Sequence, residues 1–188
     1  MQPRIPPIEP PYEPETAEML RKWMPPNSPL EPLKIFRTLT VNQELSGRMR
    51  VLGAGILGSK TGNPRERELL ILRTCARAGA AYEWGVHAAA FGDAVGLSEE
   101  ALDATWDKGP EAFPDSDALM IRLADELHET AAVSDELWEE LSADRDHAAI
   151  VELVTTCGFY RLLSYLIQTA QIEGEDWARP VPTAASAA

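Results

Sequence analysis

Apolar residues recur at intervals of three and four along most of this chain, the spacing of an amphipathic helix. No stretch alternates with period two for long enough to argue a strand, so the fold class is all-α and residues 33–172 read as almost continuous helix. Two short helical stretches are expected around Leu33–Val41 and Gly47–Leu57, the second loosened by Gly53 and Gly55. A start signal follows at Asn63-Pro64-Arg65-Glu66: Asn63 can cap, Pro64 suits the first turn, and Glu66 stands where a capping-box carboxylate belongs. That helix should carry Leu69, Leu72 and Ala76 on one face to about Ala78 and stop at Gly79. Another is expected from Tyr82-Glu83 to Gly96, and a third capped by Ser98 with Glu99 and Glu100 set against its dipole. Beyond the breaks at Gly109-Pro110 and Pro114, Ser116 can open a helix through Thr130, and Ser134 can cap a short one holding Leu137, Trp138 and Leu141. The last helix, about Arg145 to Ile172, is apolar over more than one stripe, which predicts burial on several sides.

The ends differ from this pattern. Ten of the 15 prolines lie in residues 1–32, so this arm is expected to be mostly loop. It nevertheless carries Tyr12, Met19, Leu20, Trp23 and Met24, which predicts that it lies across its own domain or a neighbouring subunit. The expected organisation is an arm at 1–32, one helical domain at 33–175 and a tail at 176–188, whose end, PTAASAA, reads as frayed.

Charge narrows the range of partners. With 17 basic and 30 acidic residues the net charge is −13, the wrong sign for binding nucleic acid or an anionic membrane surface. The acids concentrate in residues 99–146, which hold 16 of them against three basic residues and read as a solvated face. The stretch from Lys60 to Arg77 has the opposite balance, five basic residues to two acids, and falls where the candidate chemistry lies. Two cysteines are too few for a disulfide framework. No apolar run is expected to approach the roughly 18 residues of a membrane span, and MQPRIPPIEPP lacks a signal-peptide core, so the expected location is cytoplasmic.

The candidate chemistry centres on Glu83 and His87, four apart on one predicted helix and so on one face. A carboxylate beside an imidazole favours the charged ring, orients it and tunes it for proton transfer. Glu68 lies on the preceding helix, and the break at Gly79 could fold it back onto the pair, with Tyr82 and Trp84 as aromatic walls. The same three residues could make a carboxylate-rich metal site, but no His-x3-His or Cys-x2-Cys pair accompanies them, and neither metal nor cofactor is expected. Cys75 and Cys157 read as buried small hydrophobes, and His128 and His147 as surface residues.

The stretch Arg67-Glu68-Leu69-Leu70-Ile71-Leu72-Arg73, followed by Tyr82-Glu83-Trp84-Gly85-Val86-His87 and by Gly96-Leu97-Ser98-Glu99-Glu100-Ala101-Leu102, resembles the core of the carboxymuconolactone decarboxylase and alkylhydroperoxidase D superfamily. The resemblance spans roughly residues 35–172, with its specific part at 65–102. It implies an all-helical subunit of the alkylhydroperoxidase D-like type whose paired helices assemble into dimers, trimers or hexamers. In the peroxidase branch the motif reads Glu-x11-Cys-x2-Cys-x3-His. Counted from Glu68, the cysteine positions fall on Ala80 and Glu83 and the histidine on His87, so both redox thiols are missing.

The resulting expectation is acid/base chemistry, decarboxylation or proton transfer, on a small carboxylic acid or lactone from aromatic catabolism. His87 would donate or shuttle the proton, Glu83 would orient it or share its proton, Glu68 would complete the relay, and Arg73 or another local arginine would grip a substrate carboxylate. The alternatives are a peroxiredoxin-type peroxidase working through Cys75 or Cys157, and an oligomeric small-molecule-binding protein without turnover.

Overall fold

The computed structural model describes residues 2–26, 28–59 and 62–183. Among them nine α-helices and two single turns of 3-10 helix account for the regular structure, with no strand, so the molecule is all-α. The chain forms two compact units, residues 1–59 with 166–176, and residues 60–165 with 177–188. These boundaries differ from the expected 32 and 175.

The first unit holds α1 (Pro14–Trp23), α2 (Lys34–Leu39) and α3 (Gln43–Leu57). The expectation of a mostly loop-like arm missed α1. Pro14 occupies the first turn, where its absent N–H costs nothing, and Thr16, Leu20 and Trp23 then fall on one face. Leu20 is fully buried, Trp23 stacks on Phe36 with centroids 4.4 Å apart, and the indole N–H donates to Ser46 Oγ at 3.1 Å. Ahead of α1, the Arg4 N–H donates to the Ala170 carbonyl at 2.8 Å. The arm therefore packs within its own chain through α1, which buries Thr16 and Leu20, while residues 2–8 stay exposed or half-buried.

In the second unit, α4 (Pro64–Arg77) is the central helix, and every residue from Glu68 to Cys75 is buried. Asn63 caps it, accepting from Arg65 N–H at 2.9 Å, and Gly79 ends it at φ 67°, a left-handed conformation that glycine adopts without strain. Glu66 does not close a capping box; it pairs with Arg145 at 2.6 Å. Next come α5 (Ala81–Phe91), the turn Asp93–Val95, α6 (Glu99–Asp107), capped by Ser98 as expected, and the turn Pro110–Ala112. They are followed by α7 (Asp115–Thr130), α8 (Asp135–Asp144), capped by Ser134, and α9 (His147–Ala170), whose residues 147–165 belong to this unit. Pro114, not Ser116, occupies the cap of α7, and Asp146 caps α9 by accepting from Ala149 N–H at 2.8 Å.

Three arginines of α4 pair with three acids of α7: Arg65 with Asp117 at 2.7 Å, Arg73 with Asp125 at 2.6 Å and Arg77 with Glu129 at 2.7 Å. Each partner lies 52 residues further along, and a constant offset over three turns means that α4 and α7 run parallel and in step. Part of the acidic run is thus consumed in pairing with the basic stretch, and the local excess of arginine is structural.

The tail is anchored at Arg179. Arg179 N–H donates to the Gly85 carbonyl at 3.0 Å, and its guanidinium pairs with Glu99 and with Asp103. A Cβ at Gly85 would stand 2.4 Å from the Arg179 carbonyl oxygen, so this approach requires glycine. The expectation for 184–188 lies outside the described residues. One further expectation needs correction: α9, at 24 residues with an 18-residue window of mean hydropathy 1.4, is long and apolar enough to cross a membrane. Isolated polar residues such as Glu152 and Arg161 interrupt its apolar runs without lowering the average much, and half of that window is buried in the protein.

Candidate functional site

The turn at Gly79 folds α5 back onto α4 and brings Glu68 to the Glu83–His87 pair. His87 Nδ1 lies 2.7 Å from Glu68 Oε2, and Nε2 lies 3.6 Å from Glu83 Oε1. All three are buried, with 1%, 6% and 4% of Glu68, Glu83 and His87 exposed. The imidazole is held from both ends by acids on two helices, while Phe91 tilts against it at 5.0 Å and Tyr160 of α9 meets it edge-on at 4.9 Å.

Burial pulls the His87 pKa down, but hydrogen bonds to Glu68 and Glu83 and the charge of both outweigh it and lift the value to about 9. At neutral pH the ring is an imidazolium, a proton donor held in place. Burial, reinforced by the charges of Glu83 and Glu68, pushes the Tyr160 hydroxyl well above its ordinary value, so it stays neutral.

The site is not closed electrostatically. Glu68 Oε1 and Glu83 Oε2 are buried and accept no hydrogen bond among the described residues. Arg67 approaches Glu68 Oε1 to 3.5 Å, an ion pair without a hydrogen bond. Each carboxylate thus spends one oxygen on His87 and keeps the other free to accept. Among the described residues no group of three or more histidine, cysteine or acidic side chains is arranged to hold a metal ion.

The other expected participants are placed elsewhere. Arg73 is committed: it forks onto Asp125 at 2.6 and 2.8 Å and donates to the Thr105 and Lys108 carbonyls, so it holds the fold and leaves no fork for a substrate. Trp84 is fully buried with its indole N–H on Thr105 Oγ1 at 2.9 Å and its ring edge-on to Trp106, a core residue and not a wall of the site. Tyr82 is buried at the start of α5, and the rings that meet His87 are Phe91 and Tyr160. Spacing could not identify Tyr160, which arrives from a helix 73 residues away and reads there as one more core aromatic. His147 is exposed, but His128 is not the surface residue expected: it lines a cavity and bonds to Arg161.

The thiols are free and buried. Burial and the nearby Glu83 charge push Cys75 well above the ordinary thiol range despite a hydrogen bond with Ser164, and burial lifts Cys157 to about 11. At pH 7 a thiol of that pKa is thiolate in roughly one molecule in 10⁴, so neither is prepared for attack.

No family model matches this sequence, and no curated protein matches it.

Proposed function

We infer that the chain is an enzyme of the carboxymuconolactone decarboxylase type, delivering a proton from His87 to a small carboxylic acid or lactone. The observation that carries this reading is the imidazolium fixed between two buried carboxylates, each with an uncommitted oxygen. Glu68, at hydrogen-bond distance from Nδ1, orients the ring and keeps it charged. Of the two roles expected of Glu83, orienting the ring or sharing its proton, the second remains and the first passes to Glu68. Nε2, only loosely held by Glu83, is the donating end. In decarboxylation the bond to the leaving carboxylate breaks, its electron pair is held by the neighbouring carbonyl, and Nε2–H protonates the carbon. The neutral ring is then reprotonated by a proton taken up from solvent, which Glu83, ionised beside Nε2, relays. Arg67, beside Glu68 with an unbonded Nε, takes over from Arg73 as the group for a substrate carboxylate. The working form is a homo-oligomer whose only other partner is its substrate.

The burial of the trio favours one other reading, a charged clasp between α4 and α5 in a scaffold without turnover. Kinetics separate the two. His87→Gln should lower turnover of a carboxymuconolactone-type substrate by about 10²–10⁴ while leaving helical content unchanged, and Glu83→Gln should lower it less. The double change should be no worse than His87→Gln alone, because groups acting as one unit are not additive. Full activity in folded His87→Gln would reject this function.

A further inference from the structure

A separate cavity of about 300 Å³ opens between α4, α7 and α9, within the second unit. Leu127, Ala124 and Val154 give it an apolar wall, and Arg161 brings a charge to it. Unlike Arg65, Arg73, Arg77 and Arg145, Arg161 makes no ion pair with a carboxylate among the described residues. It is positioned all the same: Nη1 donates to His128 Nδ1 at 2.7 Å, Nε donates to the Tyr165 hydroxyl at 3.0 Å, and the guanidinium carbon stands 5.0 Å over the Tyr165 ring. Neutral acceptors hold the fork without neutralising it. In a protein of net charge −13 a fixed, uncompensated guanidinium at an apolar hollow is a carboxylate receptor. The cavity floor adds Thr74, whose buried hydroxyl lies by the Cys157 thiol and makes no complete hydrogen bond among the described residues.

Gly158 supplies an independent observation. It sits inside a 24-residue helix, where glycine weakens the helix relative to alanine. Nothing in the chain demands it there, since a Cβ at this position would meet no atom within 4 Å. Its side is the side of the cavity, and the missing side chain is what leaves the hollow open.

We propose that this cavity is a second binding site, taking a small monocarboxylate with an apolar body, its carboxylate on Arg161 and its body against Leu127, Ala124 and Val154. The site is separate from the Glu68–His87 pair and does not depend on what that pair does.

Benzoate is the probe, titrated into the full chain by calorimetry and followed through the His128 ring resonances. One site per chain with a Kd of order 1 mM is expected for nine heavy atoms. Arg161→Gln should weaken binding at least tenfold, Gly158→Leu should abolish it by filling the hollow, and His87→Gln should leave it within twofold. His128 starts below its ordinary pKa because of burial, Arg161 and Arg77, against the opposing pull of Asp125 and Glu129. Bound carboxylate at Arg161 adds negative charge and should move that titration upward. No saturable binding up to about 20 mM would overturn the proposal, as would wild-type affinity in both Arg161→Gln and Gly158→Leu. Gly158→Leu is the safeguard against misfolding, because the backbone there has room for a side chain. A Gly158→Leu protein with altered sedimentation and undiminished benzoate binding would assign the face to a second copy of the chain and also overturn it.

Discussion

Arg73 and Glu68 lie five residues apart on the same buried helix, and they are treated oppositely. Arg73 has four hydrogen bonds, two to Asp125 and two to backbone carbonyls. Glu68 has one good bond, to His87, and keeps an oxygen that accepts none; Glu83 has only a 3.6 Å contact with the ring and likewise keeps an oxygen that accepts none. Burying a charge is tolerable when its bonds are replaced, and a half-satisfied network is costlier than an apolar core. The arginine ladder meets that condition and is architecture. The trio does not, and a buried arrangement that leaves acceptor capacity unused is suited to a passing proton or a substrate group.

The largest test of this contrast is Arg73→Leu. It strands two carbonyls and leaves Asp125 only the longer contact with Arg77 at 3.4 Å, and should cost about 3–5 kcal/mol in chemical denaturation. Glu83→Gln should cost no more than about 1 kcal/mol, because Glu68 still holds the imidazolium at 2.7 Å. Equal losses in the two variants would erase the distinction.

Next in size is the pH dependence. His87 is raised from 6.5 to about 9 in the folded chain, so between those values the folded state binds the extra proton. Its stabilisation is complete below about pH 6.5 and is lost as pH rises through about 9, roughly 3 kcal/mol in all. His87→Gln should flatten that decline in a series of unfolding curves from pH 6 to 10, and an unchanged slope would show that the ring is not held as a cation.

The smallest effect is expected from the thiols. Replacing Cys75 and Cys157 by alanine should cost roughly 1–2 kcal/mol per site through lost packing and leave turnover within twofold. Loss of all turnover in a well-folded double variant would transfer the chemistry from the histidine to the thiols.

What could be read along the chain was local. The caps at Asn63, Ser98 and Ser134 and the stop at Gly79 were legible because each is set by two or three neighbours and one backbone conformation. The Glu68–His87 approach followed from a single short turn between two helices. Arg73 misled because a sequence shows a guanidinium but not its partner, and Asp125 lies 52 residues away. Tyr160 stayed hidden for the same reason, and α1 because ten prolines in residues 1–32 outweighed the helical spacing of Thr16, Leu20 and Trp23. Arg161 carries no signal in the sequence; only the cavity beside it distinguishes it from a solvated arginine.

The constant offset between α4 and α7 acts as a ruler. Sliding α7 by one turn, about 5.4 Å, would set Arg65 against Phe113 or Ile121 and leave only one of the three arginines facing an acid. Intermediate registers are therefore penalised, and the two helices keep step whatever joins them. Residues 109–113, between the Lys108 carbonyl that Arg73 holds and the Pro114 cap of α7, carry none of these pairs, so a change of length there should leave the frame that carries Glu68 in phase.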